Sequence, residues 1–237
     1  MSYARVALGK IPIERRARPA AAWARWLVAS LIAIGAWGTD AQSLAPLASG
    51  RVPYFIAEPP AGSTALLADR ELAAWAITTW QTTVEGVLDL VPVETESEAL
   101  VRVYWAPPEG GQYGEMRALD LDGRRGAAVF IRPDTDAFGG DIAARARLDA
   151  LFRDTIVYLT CVHELGHALG LRHTDNFADI MYAFGFGGDI TEYFGRFRRT
   201  VVTRTDIATA PVLSAGDRGQ IARLYGGAPQ LRTAASN

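Results

Sequence analysis

Residues 163–182 read H-E-L-G-H-A-L-G-L-R-H-T-D-N-F-A-D-I-M-Y. The first five match the pattern His-Glu-x-x-His. On a helix, positions four apart lie one turn apart on the same face, so His163 and His167 aim both imidazoles at one point. Glu164 lies roughly 60° round the axis from His167, off that ligand edge but placed to act as general base on a water at the metal. Continuing the helix would carry the next side chains away, so a third ligand requires the chain to turn back. Gly170 permits the turn, because glycine accepts the left-handed backbone that ends a helix. His173, three residues on, closes a tripod. Three neutral imidazoles with one open position suit a catalytic zinc ion, whereas a structural zinc site has all four positions filled by protein.

The chain contains 3 histidines, and all of them lie in this stretch. A bare His-Glu-x-x-His arises by chance among helix formers. The longer H-E-x-x-H-x-x-G-x-x-H followed by Met181 is far more specific. A helix whose histidines merely decorate a surface would leave Gly170 and His173 unexplained.

This stretch resembles the metzincin zinc endopeptidases, and among them the matrixins. The resemblance implies an α+β catalytic domain: a twisted, mainly parallel sheet with an antiparallel edge strand, an active-site helix and a C-terminal helix. It implies that Asp179-Ile180-Met181-Tyr182 is the tight turn beneath the metal, with Met181 a floor residue and Tyr182 in the wall of the pocket just beyond the scissile bond. Without it, Met181 and Tyr182 read as ordinary core. The chain departs from the family pattern where Thr174 replaces a usual serine and Ala183 a usual proline. The family's structural zinc cannot be built, because no histidine is left over.

The first 41 residues differ from the rest. Arg5, Lys10, Arg15, Arg16, Arg18 and Arg25 precede an apolar run at 26–37, and Thr39-Asp40-Ala41 offers small residues for cleavage. This is the layout of a secretory signal peptide, with a secreted or periplasmic destination. The run is shorter than the ~20 residues of a spanning helix, which disfavours an uncleaved anchor, and no later segment is long and apolar enough to cross a membrane. Without residues 1–41 the chain keeps 18 basic and 24 acidic side chains, a net charge of −6. An acidic domain with no basic helix or finger does not suggest nucleic acid. Nothing in the sequence bears on oligomeric state.

A short linker at 42–50 leads into a catalytic domain at 51–227, and a loose tail follows at 228–237. Residues 52–57, closed by Pro59-Pro60, read as a first strand. Ala73, Ile77, Trp80 and Val84 recur at helical spacing from Asp69 onward, and Val101, Val103 and Trp105 alternate as in a strand. A Pro- and Gly-rich loop is expected at 107–125. Its Asp120-Leu121-Asp122-Gly123 has carboxylates spaced as in the calcium loops of matrixins, although a solvated turn is the simpler reading. The strand at 126–132 is expected at the sheet edge, where a peptide substrate would pair with it. Asp141 opens a helical stretch, and the zinc helix starts near Leu151.

Cys161, the single cysteine, falls on the apolar side of the zinc helix with Leu165 and Leu169, so neither an internal disulfide nor a cysteine cap on the metal is expected. Residues 183–212 read as a long loop, either a substrate gate or disordered. Ser214 and Asp217 cap a last helix ending at Gly226-Gly227.

The function these signs imply is zinc-dependent hydrolysis of peptide bonds in a peptide or protein substrate. Two rivals are a zinc-binding module without a hydrolytic task and a hydrolase of a non-peptide amide. A protease with a glutamate as third ligand would leave His173 without a purpose.

Overall fold

The computed structural model describes residues 45–106 and 113–226. The signal segment expected at 1–41, the start of the expected linker and the expected tail lie outside them. Five strands form one sheet: β1 (Gly50–Ile56), β2 (Leu88–Pro92), β3 (Val101–Trp105), β4 (Gly114–Leu121) and β5 (Arg124–Ile131). Their order is β2-β1-β3-β5-β4. All neighbours are parallel except β4, which runs antiparallel to β5 at the edge. The helices are α1 (Asp69–Val84), α2 (Gly140–Leu148), α3 (Ala150–Ala168), α4 (Ile190–Arg198) and α5 (Ala215–Tyr225). This is the expected α+β architecture.

The apolar stripe of α1 becomes its buried face: Leu72, Ala73, Ala76, Ile77, Trp80 and Val84 are all inside. They pack against α3 and the β1–β2 side of the sheet. The indole of Trp80, fully buried, donates to Val162 O at 2.8 Å and so fixes the depth of α3 against α1. Burying that ring without its N–H bonded would cost about 1–3 kcal/mol, so one hydrogen bond sets the register of the two helices. Asp149 caps α3, accepting from Phe152 N at 3.0 Å. Cys161 is buried, as expected for the core side of the helix.

Ordered packing begins before residue 51. Leu47 is 4% exposed and its N–H donates to the Tyr225 hydroxyl at 3.0 Å.

Three expectations are corrected. The stretch 107–125 is not all loop: β4 occupies Gly114–Leu121 and joins β5 through Asp122 and Gly123, whose φ angles are 56° and 75°. Both central residues left-handed is the geometry of a tight hairpin turn, and Asp-Gly is a favoured pair for it. Consequently the strand at 126–132 is interior, paired on both sides, and β4 is the edge. The Asp120 carboxylate accepts from Gly123 N at 2.8 Å, which makes this a hairpin turn.

The third correction concerns 183–212, which is not structureless. It contains α4 and short helical turns at Phe184–Phe186 and Arg204–Ala208. Tyr193, Phe194, Phe197, Val201 and Ile207 are buried in it. Asp189 caps α4 by accepting from Glu192 N at 3.0 Å. The strand β2 was not anticipated, its five residues being too short and too polar at Asp89 to stand out.

Candidate metal centre

Two of the three histidines stand on the last turns of α3, and the third arrives by the predicted bend. Gly170 has φ +97°. Its N–H donates to His167 O at 2.9 Å and that of Leu171 donates to Gly166 O at 2.9 Å. This pair of bonds closes the helix end and satisfies its last carbonyls. The bend brings His173 Nε2 to 3.2 Å from His163 Nε2 and 3.1 Å from His167 Nε2.

The other ring nitrogens fix the tautomers. His163 Nδ1 lies 2.7 Å from Ile180 O, and His167 Nδ1 lies 2.9 Å from Leu171 O. A carbonyl can only accept, so both Nδ1 atoms carry the proton and both Nε2 lone pairs are free. Burial, followed by the neighbouring rings, pushes His163 well below the ordinary histidine range. Burial and then His173 push His167 down to about 4, and burial lowers His173. Neutral imidazoles facing one another at such distances repel unless a cation lies among them. Two ring nitrogens on one tetrahedral zinc at about 2.0–2.1 Å stand roughly 3.3–3.4 Å apart, so the donor set fits that ion. Among the described residues, this is the group of three His, Cys, Asp or Glu side chains able to hold a metal, and Asp120 and Asp122 belong to no such group.

Glu164 follows His163 and is 7% exposed. Its carboxyl is pushed up to about 8, first by burial and then by Glu115, with Arg132 opposing. The edge strand passes directly over it. A Cβ at Gly114 would stand 2.4 Å from Glu164 Cγ and 2.6 Å from its Oε1, so glycine is what lets β4 approach the carboxylate.

The turn at 179–182 meets the triad at His163, through Ile180 O. Met181 is fully buried, and a Cβ at Gly166 would meet its Sδ at 2.5 Å. The glycine inside the His-Glu-Leu-Gly-His pattern therefore seats the methionine against α3. Thr174 N donates to Met181 O at 2.9 Å and Ala183 N to Thr174 O at 3.1 Å, so the chain after His173 is stitched to the turn.

Asp217 holds the turn from below. It is fully buried and accepts from Ile180 N at 2.9 Å and Met181 N at 3.2 Å. It also accepts from Ser214 N at 2.9 Å as part of the cap of α5. The expected capping role is present; the grip on the turn is a second role.

Tyr182 is 4% exposed and its hydroxyl donates to Gly187 O at 2.8 Å. Its ring meets Phe177, Phe184, Phe186 and Tyr193. The structure thus brings His163, His167 and His173 together, buries Glu164 against Gly114, seats Met181 against Gly166 and sets Tyr182 in an aromatic cluster. Sequence reasoning missed Gly114, Gly166 and the second role of Asp217. The close approaches leave no local signature, since any glycine in those patterns reads as a turn or as a weak helix former.

The model of a protein family described as Matrixin matches residues 67–186, just over half of the 237 residues. Macrophage metalloelastase of Rattus norvegicus is 36% identical over 78 residues. That alignment covers 30% of this chain and 16% of the length of the relative.

Proposed function

We propose that this chain, which belongs to the matrixin family, is a zinc-dependent endopeptidase in which His163, His167 and His173 hold the metal and Glu164 is the general base. The observation that carries this reading is the convergence of three ring nitrogens, with the buried Glu164 next to His163 on the same helix. Zinc, when bound, supplies a Lewis acid that polarises a peptide carbonyl and makes water a nucleophile near neutral pH.

The remaining work falls to the chain. The ionised form of Glu164, which a divalent cation held by the three rings would favour, takes a proton from the attacking water and passes it to the leaving nitrogen. No covalent enzyme intermediate is needed. Gly114 packs directly against Glu164, so β4 limits where its side chain can swing. Among the described residues no strand pairs with the outer side of β4, whose main-chain groups there would let an extended substrate add as a further strand. Met181 supports the triad from beneath. Tyr182 shapes the pocket wall by pinning Gly187 through its hydroxyl.

Residues 1–41 are proposed to direct export and to be removed near Ala41, leaving the catalytic domain at 51–227. No helix among the described residues is long and apolar enough to cross a membrane.

The test is a peptide-library digest by the chain lacking residues 1–41, with and without a chelator. Cleavage that stops on chelation and returns with zinc is expected. Glu164→Ala is expected to keep zinc and lose hydrolysis; an active Glu164→Ala protein would sink the role given to that carboxylate.

A further inference from the structure

The turn that meets the triad at His163 is held by a helix outside the segment that the family model matches. That match stops at residue 186, and α4 begins at Ile190. We propose that α4 is a clamp on this turn and that Tyr193 is a positioning residue for His163, an inference that rests on the metal reading of the triad.

The geometry runs through one carbonyl. Ile180 O accepts the His163 ring N–H at 2.7 Å and also the Tyr193 hydroxyl at 2.9 Å. A carbonyl has two lone pairs, so both donors are accommodated without competition. Arg196, one turn further along α4, donates to Phe177 O and, at 3.4 Å, to Asp179 O. Its guanidinium lies 4.4 Å from the centre of the Tyr193 ring and keeps the phenol in place. The carbonyls of residues 177, 179 and 180 are thus gripped from α4, while Asp217 grips the N–H groups of 180 and 181 from α5.

The clamp is itself anchored. Arg198, near the end of α4, pairs with Asp149 at 2.9 Å, and Asp149 caps α3. Phe194 and Phe197 are buried beside it. The helix that carries two of the ring ligands and the helix that holds the turn are therefore tied at a second point, remote from the metal.

Packing alone does not call for the hydroxyl. Tyr193 is 3% exposed, its ring enclosed by Phe177, Phe184 and Phe194, and phenylalanine would fill the same space. What the hydroxyl adds is a fixed direction for the Ile180 carbonyl, and that carbonyl orients the His163 ring. Groups bonded directly to a metal ligand typically change metal affinity about 10- to 100-fold when removed, and the Tyr193 hydroxyl acts one bond further out, so the low end of that range is expected.

The test compares Tyr193→Phe with Tyr158→Phe, a buried tyrosine whose hydroxyl meets Thr79 at 2.8 Å, away from the turn. Zinc affinity is measured by competition with a chromophoric chelator, the visible spectrum is recorded with Co2+ bound, and unfolding is followed in excess chelator. Tyr193→Phe is expected to weaken zinc about ten-fold and shift the Co2+ spectrum, while Tyr158→Phe stays within about two-fold of wild type with an unshifted spectrum. Arg196→Met is expected to weaken zinc in the same direction. Wild-type affinity and spectrum in Tyr193→Phe, or an equal loss in Tyr158→Phe, overturns the clamp and leaves the metal site standing. A wild-type chain that takes up no zinc overturns the metal reading and the clamp with it.

Discussion

Replacing Asp217 by alanine should be among the most destabilising single changes outside the three histidines. The carboxylate accepts from Ile180 N, Met181 N and Ser214 N, and the first two of these bonds are buried. Truncation leaves two interior N–H groups without a partner, at about 1–3 kcal/mol each, and weakens the cap of α5. The sum is about 3–5 kcal/mol, a large share of a typical domain stability of about 5–15 kcal/mol. At about 2–4 °C per kcal/mol for a domain of this size, the midpoint falls by about 6–20 °C. Asp217→Asn keeps one oxygen but turns an amide N–H toward a backbone donor, so it should lose about 1–2 kcal/mol, or about 2–8 °C. Ser214→Ala removes a hydroxyl that accepts from Asp217 N and donates to the buried Asp179 carboxylate at 2.7 Å, and should cost about 2–3 kcal/mol. Thermal unfolding by circular dichroism, in excess chelator so that metal binding does not contribute, ranks the three variants. An Asp217→Ala midpoint within about 2 °C of wild type, or one above that of Ser214→Ala, would refute the assignment of the turn's N–H groups to this side chain.

Three further outcomes are expected. Gly114→Ala should push Glu164 off its position, because the new Cβ falls 2.4 Å from Glu164 Cγ; kcat should drop about 100-fold with zinc content unchanged, and an unaltered kcat would remove β4 from the placing of the base. Gly170→Ala, at φ +97°, should lose about 1–2 kcal/mol and bind zinc more weakly as His173 shifts, read by unfolding in chelator and by zinc titration. For Asp149, burial works against the charge, but Arg198 and Phe152 N–H outweigh it and hold the carboxyl below the ordinary carboxylate range. A depressed folded pKa gives stability that is present above the unfolded value of about 3.9 and is lost as pH falls through the folded one. The midpoint deficit of Asp149→Asn at pH near 7 should therefore shrink below about pH 4; an equal deficit at both would break the link to ionisation.

How much of this was legible depended on whether the signal was local. The tripod was, because His163, His167, Gly170 and His173 carry their geometry in their spacing and need only a helix and one left-handed residue. The strand β4 was harder to see. It is an edge strand whose Glu115, Arg117 and Asp120 blunt the apolar alternation that marks interior strands. The hairpin was nevertheless written in Asp122-Gly123, a pair that favours two successive left-handed residues. The helix α4 also left a signature, with Asp189 as cap and Ile190, Tyr193, Phe194 and Phe197 at helical spacing. The glycine run at 185–188 and the arginines at 196, 198 and 199 made the stretch look like a loop. In the structure two of these arginines are fastened to Phe177 O and to Asp149.

The role of Asp217 was hidden for a different reason. Its capping box with Ser214 accounts for it completely at the local level, so nothing three residues away hints at Ile180, 37 positions earlier in the chain. The same holds for Tyr193, which a helical stripe explains as core. In both cases a side chain with a sufficient local reason acquires a second partner on the turn at 179–182. The site follows from that turn as much as from the helix: α3 supplies two of the three rings, but the Ile180 carbonyl that orients His163 is placed by Asp217 below and α4 beside it. A substitution on α4 that leaves α3 folded should therefore register at the metal before it registers in the stability of the sheet. Loss of the sheet at the same denaturant concentration as the loss of zinc, in Tyr193→Phe, would show that the turn has no separate freedom to lose.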